Sequence, residues 1–172
     1  MTTTSHPTSP CRLSLPKLLA SGALALALTL PAAGMAAQTM DKDELQQVYT
    51  RYLDEQGFRP TVSDMGNVLF KSEGRTYVIY LDPKDAAYFR IVLSFKADDG
   101  DETLRNRRLE ALNEVNRTMK TVKSHIGTDG NINFSVEMFQ AKVGDANKDF
   151  ARTLRAMGQA VTKYGAKMKD KD

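Results

Sequence analysis

The stretch TYVIYLDPKDAAYFRIVLSFK, residues 76–96, contains two strand patterns with a turn between them. Residues 76–81 and 88–96 both alternate with the period of two that is typical of strands. In the second strand the residues that share one face are Phe89, Ile91, Leu93 and Phe95. Residues 82–85, DPKD, form turns readily, and a connection this short favours antiparallel neighbours. The stretch therefore predicts two adjacent antiparallel strands.

Further strand patterns lie on both sides of this pair. Residues 67–71 form a short strand pattern, separated from residue 76 by the turn-forming sequence SEG at residues 72–74. Downstream, residues 122–127 and 131–139 flank Asp129-Gly130, a dipeptide typical of tight hairpins. The sequence thus predicts a three-stranded meander and, later in the chain, a two-stranded hairpin.

Three segments have the spacing of amphipathic helices. Residues 41–56 and 102–120 repeat apolar side chains every three or four positions, and Asp145 is predicted to cap a last helix. The apolar stripe of that last helix is Phe150, Leu154, Met157, Val161, Tyr164 and Met168. The order α-β-β-β-α-β-β-α predicts an α+β fold, with an antiparallel sheet of about five strands and helices packed on it. We expect one domain over residues 38–172, with a frayed charged tail from Lys167.

Residues 1–37 have the order of a secretory signal peptide. Basic residues without any acid precede an apolar run at residues 18–30, and small residues follow it. Cleavage is expected after Ala36 or Ala37. Cys11 lies upstream of the apolar run, so it cannot receive a lipid at the cleavage point. The sequence predicts a periplasmic or secreted protein.

An uncleaved membrane anchor is the alternative interpretation of this segment. Residues 18–37 approach the roughly 20 residues that a spanning helix needs. Pro31 and Gly34 interrupt the run, which favours cleavage. We therefore expect no stable membrane anchor after cleavage of the signal.

Cleavage changes the charge and composition of the chain. The 172 residues include 24 basic and 21 acidic side chains, a formal charge of +3. Loss of Arg12 and Lys17 leaves 22 basic residues against 21 acidic ones, a net charge of +1. The mature chain has no cysteine and one histidine, His125. This composition argues against nucleic-acid binding, thiol chemistry and a thiolate metal site, and we expect no cofactor.

His125 is the one histidine that could act as a general base in the mature chain. The strand alternation predicts that it faces solvent, and Ser124, its neighbour, points to the opposite face. The acidic run at residues 98–102 could attract calcium, but acidic residues before a helix also suit the helix dipole. We therefore predict no catalytic residues and no metal ligands.

Two features of the sequence are not explained by the need to form a hydrophobic core: a pair of asparagines on the middle helix and the long apolar stripe of the last helix. Asn113 and Asn116 are three positions apart on the middle helix, hence neighbours on one face. Hydrogen bonding to the next loop or strand edge is favoured for them over a ligand contact. The stripe of the last helix serves either as core or as the seam for a partner.

The segment LNEVNR at residues 112–117, followed by DGNI at 129–132 and a strand through Glu137, resembles the "N-x-x-N-R … D-G" segment of YbjN-domain proteins. These proteins are described as "putative bacterial sensory transduction regulators". The resemblance spans residues 41–168, although Val115 stands where a bulky aromatic is common. It implies a fold similar to type III secretion chaperones, which commonly dimerise and bind protein segments and have no known catalytic residues.

The expected function is that of an exported, non-enzymatic protein-binding or regulatory module, either chaperone-like or acting in sensory or stress regulation. The resemblance implies a protein or peptide partner and a homodimer, and we expect the partner to bind through the sheet or the terminal helix. The candidate binding residues are Asn113, Asn116 and Arg117. The alternative function is a small-ligand binder or small hydrolase that uses His125 and nearby carboxylates. Fold does not fix function, so the residues of the site must decide between them.

Overall fold

The computed structural model describes residues 38–97 and 100–169. The predicted signal peptide at residues 1–37, Asp98, Asp99 and residues 170–172 lie outside the described residues. The elements of the described part are α1 (Lys42–Glu55), β1 (Thr61–Val62), β2 (Val68–Ser72), β3 (Arg75–Tyr80), β4 (Tyr88–Phe95), α2 (Glu102–Thr118), β5 (Lys123–Ile126), β6 (Ile132–Phe139), a 3₁₀ helix (Asp145–Asp149) and α3 (Phe150–Lys169).

The strands form one antiparallel sheet in the order β1-β2-β3-β4-β6-β5. The predicted α+β class, meander and second hairpin are confirmed. The predicted count of about five strands is one too low, because the sequence analysis missed β1. This strand has two residues, both exposed, and pairs Thr61 with Leu69 and Val62 with Val68. Two residues are too few to show an alternating pattern.

All three helices contribute to one core on one face of the sheet. The registers align buried side chains directly across neighbouring strands: Ile79 lies opposite Ile91, and Ile91 opposite Val136. The buried helix residues that meet them are Leu45, Tyr49 and Leu53 of α1, Leu112 and Val115 of α2, and Phe150, Met157 and Ala160 of α3. The alternation read from the sequence therefore identifies the core face correctly.

The start of the last helix differs from the prediction. Asp145 does not cap α3 but begins the 3₁₀ helix, and α3 starts five residues later at Phe150. The Asp145 carboxylate accepts hydrogen bonds from the Lys142 backbone N–H at 3.0 Å and from the Lys148 ammonium at 2.7 Å. The side chain is therefore already used by a local turn. The far end also differs, because α3 remains helical at Lys167 and continues to Lys169.

Helix α2 begins as the sequence predicts. The Asp101 side chain accepts a hydrogen bond from the Leu104 N–H at 2.8 Å, which satisfies an otherwise unpaired donor of the first turn. Within residues 38–97 and 100–169, no group of three or more histidine, cysteine or acidic side chains is arranged to hold a metal ion. Nor does this part of the chain contain a helix with the length and apolarity needed to span a bilayer.

Candidate functional site

A cavity of about 1000 Å³ opens along α3, and we call it the α3 groove. Its walls come from the end of α1, the β2–β3 hairpin and one face of α3, with Met119 after α2. The residues that line it are Tyr52, Gln56, Phe58, Ser72, Glu73, Arg75, Tyr77, Met119, Phe150, Ala151, Leu154, Arg155, Gly158, Gln159, Thr162, Lys163 and Ala166.

Aromatic side chains form the floor of the α3 groove. The ring of Phe150 lies 5.3 Å from that of Tyr52 and 6.1 Å from that of Phe58, both at steep angles. Such edge-to-face pairs are favourable beyond the area they bury. The Tyr52 hydroxyl donates to the Asn147 carbonyl at 2.9 Å, which fixes its ring. The floor is therefore apolar and held in place.

The chain reversal at the end of α1 brings Phe58 to this floor. Gly57 has a φ of 83°, in the left-handed region that favours glycine. The Gly57 N–H donates to the Asp54 carbonyl and the Phe58 N–H to the Leu53 carbonyl, both at 2.9 Å. These two bonds form a Schellman motif, which ends the helix and turns the next residue back against it.

The α3 wall of the groove is low because several of its residues are small. Ala151, Gly158 and Ala166 recur on this face of the helix. Across the groove, the space where a Gly158 Cβ would lie is 3.7 Å from the Arg75 guanidinium. The Arg75 side chain therefore covers the α3 backbone at Gly158, and an incoming segment would contact Arg75 there.

The rim of the groove is mainly cationic. Arg75, Arg155 and Lys163 line it, against a single acid, Glu73. The Arg75–Glu73 pair is long, at 3.8 Å, and the Glu73 side chain is 83% exposed, so this pair is weak. The Lys163 ammonium lies 4.0 Å from the carboxylate of Glu114, a residue that does not line the groove. The rim thus presents more positive than negative charge.

Helix α3 as a whole is also basic. Its sequence contains five basic residues and no acid. They are Arg152, Arg155, Lys163, Lys167 and Lys169. The apolar stripe of this helix predicted its position but not its charge, although the absence of acids is visible in the sequence.

Tyr77 connects the charged rim to the floor. Burial raises the pKa of its hydroxyl, and a hydrogen bond and the positive charge from Arg75 act in the opposite direction. Its ring stacks on Phe70 at 5.3 Å. Arg75 is therefore held over the groove by a buried tyrosine.

The residues predicted from the family segment lie elsewhere, on α2. Asn113 is exposed. Asn116 hydrogen-bonds the backbone of Ser124 on β5, and Arg117 donates to the Glu114 carboxylate at 2.6 Å. That hydrogen bond is the main reason why the pKa of Glu114 is lowered. None of the three predicted residues lines the α3 groove.

His125 does not lie in the groove either, and it differs from the predicted solvent-facing histidine. Its side chain is half-buried, and its Nδ1 is buried without a hydrogen-bond partner among the described residues. It pairs across the sheet with Asn133. The Ser124 hydroxyl points to the other face, where it donates to the Leu112 carbonyl at 3.0 Å. The structure therefore does not bring Ser124 and His125 together.

The sheet face opposite the helices carries a charged cluster around Glu137. Its carboxylate lies 3.2 Å from the Lys123 ammonium and 3.4 Å from Arg90 Nε, and accepts a hydrogen bond from the Ser135 hydroxyl at 2.9 Å. Arg90 Nε is buried without hydrogen-bond geometry, so its contact is an ion pair only. Burial raises the pKa of Glu137, but hydrogen bonds from Ser135, Tyr88 and Lys123 outweigh it and lower the pKa overall.

Comparison with known proteins identifies a family and several similar solved structures, two of which are described below. The family model YbjN, described as "Putative bacterial sensory transduction regulator", matches residues 45–168. An uncharacterised protein from Methanothermobacter thermautotrophicus is similar in structure with a TM-score of 0.50 at 11% identity, covering 73% of this chain and 96% of that one. YbjN from E. coli, described as "a putative transcription regulator", has a TM-score of 0.50 at 14% identity, covering 73% and 88%. No curated protein matches. At these identities the two structures support the fold alone.

Proposed function

This chain belongs to the YbjN family, and from that membership and the α3 groove we propose that it is an exported, non-enzymatic regulatory module that binds a segment of a partner protein. The observation that carries this proposal is the groove itself, a concave site with a rigid aromatic floor and a polar rim. Sites that bind ligands and peptides commonly combine these features.

The chemistry of the groove favours binding over catalysis. Among the described residues that line it, one is a carboxylate, Glu73, and none is a histidine or cysteine. Glu73 is highly exposed, whereas general acids and bases are usually tuned by burial and close partners. The groove therefore offers shape, apolar surface and charge, which are the determinants of recognition.

The residues just after the expected cleavage point are held by the fold, which supports a mature chain that includes them. Gln38 and Met40 form backbone hydrogen bonds with the β3–β4 connection: Met40 N–H donates to Pro83 O at 3.1 Å, and Ala86 N–H to Gln38 O at 2.7 Å. Cleavage after Ala36 or Ala37 would leave these bonds intact.

Site-specific photo-crosslinking in living cells tests the function. A photoreactive side chain replaces Gln159, which is exposed and lines the groove, or Asp64, which is exposed in the β1–β2 turn outside it. We expect a discrete adduct with one partner protein from Gln159 and none from Asp64. Fractionation of the same cells locates the adduct in the periplasm or medium.

A pair of glycine variants provides the matched control. Gly158 and Gly165 both lie on α3, but only Gly158 lines the groove. Gly158→Leu should abolish the Gln159 adduct by filling the groove, and Gly165→Leu should leave it unchanged. Equal labelling from both photoreactive positions, or loss of the adduct in both glycine variants, would refute the proposal. An adduct of twice the chain mass would identify a second copy as the occupant instead.

A further inference from the structure

The strand pairing decides how a segment can bind in the α3 groove. The groove meets the sheet at the β2–β3 hairpin, where β1 pairs only with Val68 and Leu69 and leaves residues 70–72 of β2 without a partner on that side. This open edge is about 10 Å long at the usual strand rise, which is too short for an added strand that would follow the whole groove. Of the common modes of peptide recognition, insertion of an amphipathic helix into the groove remains the suitable one.

The dimensions and side chains of α3 suit a second helix. Ala151 and Ala166 mark the two ends of the groove wall, about 22 Å apart along the axis at the usual helical rise. Between them, at Gly158, the Arg75 guanidinium lies against the wall, so a bound helix would pack on Arg75 there and on small residues at both ends. A bound helix of four to five turns would match this length.

The positive charge of the rim favours a partner segment with negative charge. Arg155 is exposed and has no ion pair within the described part of the chain, and Arg75 has only its weak pair with Glu73. Carboxylates on the bound helix would pair with these cations at the rim, while its apolar side chains contact Phe58 and Leu154, which line the groove and are only partly buried.

A membrane surface or a nucleic acid fits this site less well. The apolar face of α3 is buried in the core through Phe150, Met157 and Ala160, so the helix has no apolar face to insert into lipid. The aromatic rings lie at the bottom of a concave groove, which a flat bilayer or the backbone of a duplex cannot reach. The site therefore favours a protein segment.

Resting on the proposed function, we propose that the segment bound in the α3 groove is an acidic amphipathic helix. Its apolar stripe packs on the aromatic floor, and its carboxylates pair with Arg75, Arg155 and Lys163. The three cations surround an apolar surface, which gives specificity for a segment that has both properties.

Peptide binding to the purified protein tests this inference. The probe is a labelled peptide of about 18 residues, long enough to form about five helical turns, with leucines at i, i+3, i+4 and i+7 and glutamates beside them. Two matched peptides carry glutamine or lysine in place of glutamate. By fluorescence anisotropy we expect the glutamate peptide to bind about tenfold more tightly than the glutamine peptide, and the lysine peptide most weakly.

Charge reversal on α3 supplies the matched variants. Arg155→Glu should weaken binding of the glutamate peptide about five- to tenfold and strengthen binding of the lysine peptide. Arg152→Glu makes the same change in net charge on the same helix, at an exposed residue outside the groove, and should alter both affinities little. Circular dichroism checks that both variants remain folded.

Several results would overturn the inference. These are equal affinities for the glutamate and glutamine peptides, equal effects of the two arginine variants, or tighter Arg155-dependent binding to anionic phosphatidylglycerol vesicles or duplex DNA than to the peptide. The proposed function is judged separately by crosslinking from Gln159. A partner adduct without any preference for the glutamate peptide would retain the groove as a protein-binding site and refute its acidic specificity.

Discussion

The Asn116 side chain on α2 hydrogen-bonds both backbone polar groups of Ser124 on β5. Its Nδ2 donates to the Ser124 carbonyl at 2.9 Å, and its Oδ1 accepts from the Ser124 N–H at 2.8 Å. Because β5 is an edge strand, this amide satisfies backbone groups as a further strand would. Asn116 therefore ties α2 to the sheet and protects its edge.

Replacement of Asn116 by alanine should destabilise the fold. Asn116→Ala removes two hydrogen bonds to the Ser124 backbone at a partly exposed edge, with an expected loss of about 1–3 kcal/mol in the free energy of unfolding. Asn113→Ala is the control at an exposed position on the same helix and should change it by less than about 0.5 kcal/mol. Urea denaturation measures both. A large loss of stability for Asn113→Ala alone would contradict this assignment.

A buried chain of hydrogen bonds links α1 to the segment after β6. Gln140 Nε2 donates to the Tyr49 hydroxyl at 2.9 Å, and the Ala146 N–H donates to Gln140 Oε1 at 2.9 Å. Tyr49→Phe leaves one buried amide donor unpaired, which should cost about 1–3 kcal/mol. Gln140→Leu leaves the Ala146 N–H unpaired and removes the bond to Tyr49, so it should cost more. Chemical denaturation that ranks the two variants in the reverse order would show that the network is assigned wrongly.

Glu137 should make the stability depend on pH in the acidic range. Its pKa in the folded state is lowered below the ordinary value of 4.5, so the carboxylate stabilises the fold above that pH. This contribution is lost as the pH falls from about 4.5 through the lower folded-state value. Glu137→Gln should cost about 1 kcal/mol at neutral pH and very little near pH 3.

Thermal unfolding from pH 7 to pH 3 measures this dependence. The matched control is Glu110→Gln, which removes a carboxylate from an exposed position on α2. The difference in unfolding temperature between wild type and Glu137→Gln should shrink on acidification. The difference between wild type and Glu110→Gln should stay the same from pH 7 to pH 3. A constant difference across the range would argue against the Glu137 cluster as a source of acid sensitivity.

Two glycines inside α3 should be replaceable with a gain in stability. Alanine is favoured over glycine in a helix interior by about 1 kcal/mol. A Cβ at Gly158 would meet only Arg75 Nη1, at 3.7 Å, and one at Gly165 would have no atom within 4 Å. Gly158→Ala and Gly165→Ala should each raise the free energy of unfolding by about 0.5–1 kcal/mol. Differential scanning calorimetry measures the gain, and destabilisation by Gly158→Ala would mean that the groove is narrower than the structure shows.

The sequence pattern predicted most elements because each depends on local spacing. The alternation in residues 88–96 predicted β4, and the Asp129-Gly130 turn predicted the β5–β6 hairpin. It missed β1, whose two residues pair only because β2 lies beside them. It also placed the start of α3 at Asp145, where a hydrogen bond to Lys142 stabilises a local turn instead.

The candidate site was less predictable, because its parts are distant in sequence. The basic residues of α3, such as Arg155, were visible as a helix without acids. Their position opposite Arg75 and above Phe58 was not visible, since no spacing rule relates these segments. The position of Asn116 beside β5 likewise follows from the order β4-β6-β5, which places β5 at the edge.

By itself, the sequence determined the helices, most of the strands, the face of each that enters the core, and the resemblance to the YbjN family. These depend on the alternation of apolar and polar side chains within single segments. Tertiary structure alone decided the α3 groove, the charged cluster around Glu137 and the choice of Ser124 as the partner in the strand-edge hydrogen bonding that the sequence favoured for Asn116. Each of these joins side chains from different elements, and their distances are set by strand order and by the packing of helices on the sheet.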